Sequence, residues 1–334
     1  MPRREILEKC FLPTSHVGSM PAENISKNVE TQIEGSTPKA VRTQIEAGLD
    51  IPTTGQMSMY FYNDMVLPYI LSIEGLGRRK DEENEVENEI SSHPKRRIVV
   101  EEVIAAINEL RKFPKTQTLG LRVPITGPTT IAYSIPRYNR GGYKTPNKLI
   151  EDVAEKGLKP MLEEIVKYPE VSVISFNEPA WTDYYGSEDG GISVIKDLSD
   201  FVYEKGKKEK VVILHVCGLI RSKLFEKIVK IDGIDFLDLE FTEFPGNLKV
   251  IDPDLLEDNR KRLAVGCINP YTPYTESEDS VIKTLDSIRK IGVPLEKIMA
   301  KPDCGLRKRT MDEAKAKLQV MTGAVKKLRE QYKS

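Results

Sequence analysis

The sequence predicts an α/β fold, specifically a single-domain (β/α)8 TIM barrel, from two observations. Short apolar runs rich in β-branched residues alternate with longer stretches of helical periodicity along the 334 residues. Nearly every apolar run ends in polar residues, as buried parallel strands do when their carboxyl ends carry a site. An open doubly wound sheet is the competing architecture, but it gathers its site at one switch point. Polar residues at the ends of so many runs therefore favour the closed barrel.

Eight apolar runs are candidate strands. In chain order they are residues 10–18, 48–55, 118–127, 171–178, 211–218, 236–241, 263–269 and 298–304. The intervening stretches have the apolar spacing of amphipathic helices, as in VVEEVIAAINELRKF, LIEDVAEKGLKPMLEEIVKY, VIKDLSDFVYEKGKK and SVIKTLDSIRKIG. Eight strand–helix units predict one barrel.

One segment, residues 78–97, departs from this pattern. Its sequence, RRKDEENEVENEISSHPKRR, has many charges and few apolar residues. We expect an exposed charged insertion after the second strand, with a solvated surface as the first interpretation and a docking surface for a protein as the alternative. The chain contains neither an internal repeat nor a low-complexity linker, so residues 1–334 are predicted to form one domain.

Composition excludes several classes of protein. The 50 basic and 51 acidic residues leave a net charge of −1, which argues against a nucleic-acid partner. No apolar stretch approaches the ~20 residues of a membrane span, and the first residues lack a signal-peptide core. Four cysteines in a chain of this length do not form a disulfide framework. We therefore expect a cytoplasmic protein with reduced cysteines, and the sequence makes no prediction of oligomeric state.

Potential metal ligands lie at the ends of three predicted strands. His215 and Cys217 are two residues apart in VVILHVCG, so both side chains point to one face of a strand. Glu240 ends FLDLEF, and Cys304 ends the last run. Two thiolates, an imidazole and a carboxylate are a plausible set for Zn²⁺, although a lone buried Cys or His is more often structural. The four meet only if the barrel closes, so the sequence predicts a zinc site at its mouth.

The motifs LHVCG, DLEF and KPDCGLRKR resemble the zinc-binding motifs of cobalamin-independent methionine synthase. SHVGSMP, GLDIPTTGQMSMYF, VPITGPTTIAYS and FNEPAW are also similar to that family, in the same order. The resemblance covers nearly the whole chain and corresponds to the family's C-terminal catalytic barrel alone. It implies methyl transfer to the thiol of homocysteine, with Zn²⁺ as the cofactor.

The resemblance also implies a role for each matching residue. The metal ligands would be His215, Cys217, Glu240 and Cys304. The substrate carboxylate would be held by Val17, Gly18 and Ser19, and the substrate ammonium by Gln56 and Asn177. Catalytic roles would fall to Tyr271, at the position of a proton-donating histidine, and to Asn177 and Glu178.

Two departures from the family leave the substrates open. Gln56 and Asn177 are amides where the family has acids. Either these amides, or another carboxylate such as Glu178, still bind the ammonium of homocysteine, or the acceptor is a non-amino thiol such as coenzyme M. Tyr271 and Ser134 replace a histidine and a tryptophan, which leaves a methyl-corrinoid, a corrinoid protein, or a methyl-tetrahydrofolate or other methyl-pterin as donor. A corrinoid is slightly favoured because it leaves without a general acid. The alternative of another class is a non-catalytic accessory subunit that holds zinc.

Overall fold

The centre of the protein is a parallel sheet of six strands. The computed structural model describes residues 10–23, 25–26, 28–59, 64–79, 83–114, 117–136, 138–183 and 188–332. A small antiparallel hairpin comes first, formed by β1 (Leu76–Arg78) and β2 (Asn84–Val86). The parallel sheet has the order β3 (Leu121–Thr126), β4 (Val171–Asn177), β5 (Val211–His215), β6 (Phe236–Leu239), β7 (Arg262–Ile268) and β8 (Ile298–Pro302). Six of the eight predicted strands are thus confirmed.

The first two predicted strands are reduced to isolated parallel bridges. Thr14 pairs with Ala300 of β8, Ser15 pairs with Ile51, and Thr53 pairs with Arg122 of β3. The two segments therefore lie between the edge strands of the sheet. Their ladders are short because Pro13 and Pro52 have no N–H to donate; each only accepts, from the amides of Ala300 and Arg122 respectively. A barrel of eight regular strands is not confirmed, and the regular sheet has six.

Helices connect successive strands, as the apolar spacing predicts. The described α-helices are α1 (Val29–Glu46), α2 (Leu67–Ile70), α3 (Ile98–Leu110), α4 (Pro128–Tyr133), α5 (Pro146–Asp152), α6 (Lys159–Ile165), α7 (Ala180–Asp183), α8 (Glu188–Lys205), α9 (Ser222–Ile228), α10 (Pro253–Asp258), α11 (Glu278–Lys290) and α12 (Met311–Gln331). A π-helix, Val153–Leu158, joins α5 to α6, and 3₁₀ turns span Tyr138–Gly141, Pro245–Lys249 and Leu295–Lys297. None of the described helices is both long and apolar enough to cross a membrane.

The strands bury apolar residues on both faces. One face packs against the helices and contributes Ile174, Phe176 and Leu214 to the main core. The other face forms a small separate cluster, whose members are Ile51, Val173, Val211, Ile213, Phe236, Ala264 and Met299. Further along the same face, at the alternation of two residues that a strand imposes, the side chains become polar. This change from apolar to polar places the candidate site at the carboxyl ends of the strands.

The charged segment 78–97 contains the second strand of the hairpin. Its last residues, 92–97, are exposed, whereas the side chains of Val86 and Ile90 are buried in the main core. These two apolar residues attach the segment to the body of the protein.

Candidate metal centre and substrate pocket

Four side chains from three strand ends converge at the carboxyl end of the sheet. The potential ligand atoms of His215, Cys217, Glu240 and Cys304 all lie within 4.8 Å of one another. The Nε2 atom of His215 is 2.9 Å from Sγ of Cys217 and 4.0 Å from Sγ of Cys304, and the two sulfur atoms are 3.9 Å apart. One nitrogen, two sulfurs and a carboxylate at this spacing form a set that could hold a metal ion.

Glu240 gives the clearest sign that the cluster suits a cation. Its side chain is fully buried, and both carboxylate oxygens lack a hydrogen-bond partner among the described residues. Burial, followed by the negative charge of Cys304, raises the pKa of Glu240 to about 7. Burial of a carboxylate without hydrogen-bond donors costs free energy, and a positive ion at this point would compensate for the lost hydration.

The two thiols and the imidazole lie within hydrogen-bonding distance of one another, so the pKa of each depends on the others. A hydrogen bond from the Cys217 thiol lowers the pKa of Cys304, while the same pairing, with burial, raises the pKa of Cys217. At His215 burial lowers the pKa, but the charge of Asp238 and its hydrogen bond outweigh burial and raise the pKa to about 9. A metal ion at this cluster would compete directly with these protons, because thiolates and neutral imidazole are the forms that bind metals.

Asp238 fixes the orientation of the His215 ring. The Oδ1 atom of Asp238 is 2.7 Å from Nδ1 of His215, so Nδ1 carries a proton toward the carboxylate and Nε2 faces the cysteines. Asp238 is held in turn by Arg122, 2.7 Å from its Oδ2, and by Lys301, 2.6 Å from its Oδ1. The sequence reasoning missed these three residues. In the sequence each of them is visible as a charged residue inside an apolar run. Asp238 is also two positions before Glu240, which predicts that the two side chains lie on the same face of the strand.

A second carboxylate, that of Asp303, holds the loop after Glu240, and Asp303 directly precedes Cys304 in the chain. It accepts hydrogen bonds from the amides of Phe241, Thr242 and Glu243 and from the Thr242 hydroxyl. Gly266 on β7 leaves the room for this arrangement, since a Cβ there would lie 2.0 Å from Oδ1 of Asp303. Two of the candidate ligands thus sit on loops that one carboxylate joins.

The predicted carboxylate-binding loop lies beside Gln56 and next to Cys304. Val17 and Ser19 are buried, and a Cβ added at Gly18 would meet the side-chain oxygen of Gln56 at 2.2 Å. Gln56 itself has a left-handed backbone, with φ of 50°, which is uncommon for a residue other than glycine. The backbone oxygen of Ser19 accepts from Leu306, two residues after Cys304. The structure therefore brings this loop against the residues that directly follow Cys304.

Asn177 and Glu178 end β4 but have different surroundings. Asn177 is the register neighbour of His215, and its Oδ1 is buried without a partner in the described structure. The carboxylate of Glu178 accepts from the amides of Thr129 and Thr130 and from the Thr130 hydroxyl, at the start of α4. Burial raises the pKa of Glu178 to about 7. These contacts make Glu178 a cap of α4, and its catalytic role stays a prediction.

Tyr271 lies on the loop after β7 and is half-exposed, with 43% of its surface accessible. Its amide donates to Oδ1 of Asn269. Burial, followed by the negative charges of Cys304 and Glu240, raises the pKa of its phenol above the usual value. Because Tyr271 follows the carboxyl end of β7, it lies at the same end of the sheet as the metal cluster, and proton donation stays a prediction.

One buried histidine was not predicted. His16, between the first bridge segment and Val17, is fully buried, and neither ring nitrogen has a partner among the described residues. Burial and the charge of Arg122 lower its pKa to about 3, so its ring is neutral. Its position in SHVGSMP was the signal, but no local pattern distinguishes a buried from an exposed histidine there.

Comparison with known proteins identifies chains that are similar over most of the length of this one. The family model for the catalytic domain of cobalamin-independent synthase matches residues 13–327. The methionine synthase of Methanothermobacter marburgensis is 29% identical over 93% of this chain and 98% of its own. The 5-methyltetrahydropteroyltriglutamate–homocysteine methyltransferase of Saccharomyces cerevisiae is 25% identical over 95% of this chain, which spans 40% of that relative.

Among solved structures, the fold is similar to that of a B12-independent methionine synthase from Shewanella sp. W3-18-1 in complex with selenomethionine. The TM-score is 0.77 at 20% identity, over 97% of this chain and 99% of the other. A methyltransferase from Methanosarcina mazei has a TM-score of 0.62 at 14% identity, over 99% of this chain and 97% of the other. At these identities the likeness describes the fold alone.

Proposed function

Because the chain belongs to the cobalamin-independent synthase family and spans its catalytic domain, we propose that it is a zinc-dependent methyltransferase that methylates the thiol of homocysteine to give methionine. The family match confirms the prediction of an enzyme of this type. The observation that carries the proposal is the cluster of His215, Cys217, Glu240 and Cys304, with ligand atoms within 4.8 Å of one another. The full-length relative from M. marburgensis is named methionine synthase, which supports homocysteine as acceptor.

The four residues fit Zn²⁺ by donor type and by the unpaired oxygens of Glu240. Zinc held there would bind the acceptor thiol and lower its pKa, so that a nucleophilic thiolate exists at neutral pH. The chain's own contribution is to hold the His215 ring through Asp238 and to keep the cluster largely out of water. The reaction then depends on holding the acceptor sulfur in line with the methyl carbon, since positioning lowers the barrier without a covalent intermediate.

The substrate's amino-acid group would lie between the residue 17–19 loop and β4. The backbone of Val17, Gly18 and Ser19 would bind its carboxylate, and the side-chain oxygens of Gln56 and Asn177 would accept from its ammonium. The buried, unpartnered Oδ1 of Asn177 supports this role, because it is an acceptor without a donor. The same two amides carry no negative charge, which is the one observation that favours a non-amino thiol such as coenzyme M as a second candidate.

The donor is proposed to be a methyl-pterin or a methyl-corrinoid, and Tyr271 distinguishes them. A pterin nitrogen leaves easily only when it is protonated or receives a hydrogen bond, and the Tyr271 phenol keeps its proton because its pKa is raised. A reduced corrinoid leaves without such help. Tyr271→Phe should therefore slow transfer from a methyl-pterin about tenfold or more and leave transfer from methylcobalamin unchanged.

We also propose that residues 10–18 and 48–55 are the first two strands of a (β/α)8 barrel, shortened at their prolines. The bridges to β8 and β3 support this closure. On the same view residues 1–334 form one domain, with 78–97 as an insertion. Closure matters for function because it brings the 17–19 loop against Gly305, beside Cys304.

Calorimetric titration of the zinc-loaded protein with homocysteine, and in parallel with coenzyme M, tests the acceptor. Homocysteine binding that is abolished in Cys217→Ser supports the proposal, with Cys267→Ser as the control because Cys267 is buried outside the cluster. Binding of coenzyme M alone would transfer the proposal to the second candidate. Failure of both thiols to bind, with zinc present, would reject a catalytic function and leave the accessory role.

A further inference from the structure

A layer of buried charge lies directly beneath the metal cluster. Arg122 on β3, Asp238 on β6 and Lys301 on β8 are all fully buried, and the two cations contact the one carboxylate at 2.7 and 2.6 Å. Lys301 also donates to the backbone oxygen of Asp303, and Arg122 donates to the hydroxyl of Ser175. The layer thus spans the inner face of the sheet from one edge strand to the other.

The charges of this layer do not balance. Two cations share one carboxylate, so the layer carries one net positive charge, and the Nη1 atom of Arg122 has no partner in the described structure. His16 adds no charge because its ring is neutral. Asp303 carries a further negative charge, but its carboxylate accepts from the amides of residues 241–243, and the ion pairs of Arg122 and Lys301 are made with Asp238. An unbalanced cation in a protein interior is expensive unless a nearby negative charge compensates it.

The metal cluster supplies that negative charge. Zn²⁺ with two thiolates, one carboxylate and a neutral imidazole has one net negative charge. We propose that Arg122, Lys301 and Asp238 form a fixed countercharge layer that stabilises the anionic zinc cluster and positions the His215 ring within it. The inference rests on the proposed zinc site and adds to it the determinants of zinc affinity, which lie outside the four ligands. Arg122 and Lys301 are positioning residues, since neither is among the ligand set.

Removal of one cation tests the layer without removing the acceptor of His215. In Lys301→Met and, separately, in Arg122→Met, Asp238 keeps one cation and the layer becomes neutral. Arg122→Lys keeps both charges. Lys210→Met is the matched control, because Lys210, directly before β5, is also buried but donates to the backbone oxygens of Tyr168 and Val171 at the start of β4. Zinc affinity would be measured by competition with a chromophoric chelator, and ligand geometry by the visible spectrum of the cobalt-substituted protein.

We expect the two charge-removing variants to bind zinc roughly tenfold to a hundredfold more weakly, the range seen when partners of metal ligands are lost. Arg122→Lys and Lys210→Met should stay within about threefold of the wild type in zinc affinity. Equal affinity in the wild type and both charge-removing variants would overturn the countercharge layer. Absence of stoichiometric zinc binding in the wild type would instead reject the proposed function, so the two failures are distinguishable. If one of the two charge-removing variants does not fold, the zinc affinity of the other still tests the proposal.

Discussion

Replacement of Asp303 by alanine should both destabilise the protein and weaken its metal cluster. The carboxylate accepts from three consecutive amides, at 3.0 Å from Phe241, 3.1 Å from Thr242 and 2.7 Å from Glu243, and from the Thr242 hydroxyl at 2.5 Å. Alanine removes every one of these acceptors. Because Glu240 directly precedes the three amides and Cys304 follows Asp303, the loss would also release two candidate ligands.

The size of the effect follows from how many donors water can reach. The amide of Phe241 is buried and the other three donors are partly buried, so we expect about two of the four to regain a water partner. A buried donor left without a partner costs ~1–3 kcal/mol, so two such donors give about 2–6 kcal/mol of lost unfolding free energy. Asp303→Asn keeps one accepting oxygen and should cost roughly half as much.

The assay is urea denaturation in the presence of a chelator, so that ligand release does not contribute to the measured free energy. Asp252→Ala is the control: Asp252 is an exposed N-cap that accepts one amide bond, from Leu255, and its loss should cost ~1 kcal/mol. Zinc affinity is then measured for the folded variants. An Asp303→Ala variant no less stable than Asp252→Ala would refute the view that this carboxylate clamps the loop.

Two further predictions concern a buried acid and the acceptor pocket. The folded-state pKa of Glu178 is about 7 against 4.5 in the unfolded chain, so wild-type stability should fall as pH rises from 4.5 towards 7 and then level off. Glu178→Gln lacks this titrating group, so the stability of the variant relative to the wild type should increase as pH rises over that range. Thermal unfolding of both proteins measures this, and a stability difference that stays constant with pH would contradict the prediction. Gln56→Glu should raise kcat/KM for homocysteine over coenzyme M about tenfold, because a carboxylate beside Gly18 attracts the ammonium; unchanged selectivity would place the ammonium elsewhere.

The sequence by itself determined the alternation of strands and helices and the places of six strands, whose ends it gave to within about three residues. The spacing of two residues also put His215 and Cys217 on one face, although β5 ends at His215, and the resemblance of the ordered motifs to a known family grouped them with Glu240 and Cys304. These inferences succeed because they depend on neighbours along the chain. A strand's faces follow from backbone geometry, whatever the strand packs against.

The tertiary structure alone decided how the sheet's edges are joined and what surrounds the cluster. Arg122 and Asp238 are 116 residues apart, and Asp303 reaches amides about 60 residues earlier. Such pairings arise only when strands that are distant in the sequence become neighbours in the fold, so no local sequence pattern predicts them. The prolines at 13 and 52 were visible in the sequence, but only the sheet shows that they reduce two strands to bridges. The types of the candidate metal ligands can be identified from short sequence motifs. The charges and hydrogen bonds that would set their affinity for a metal ion arise from contacts between residues far apart in the chain.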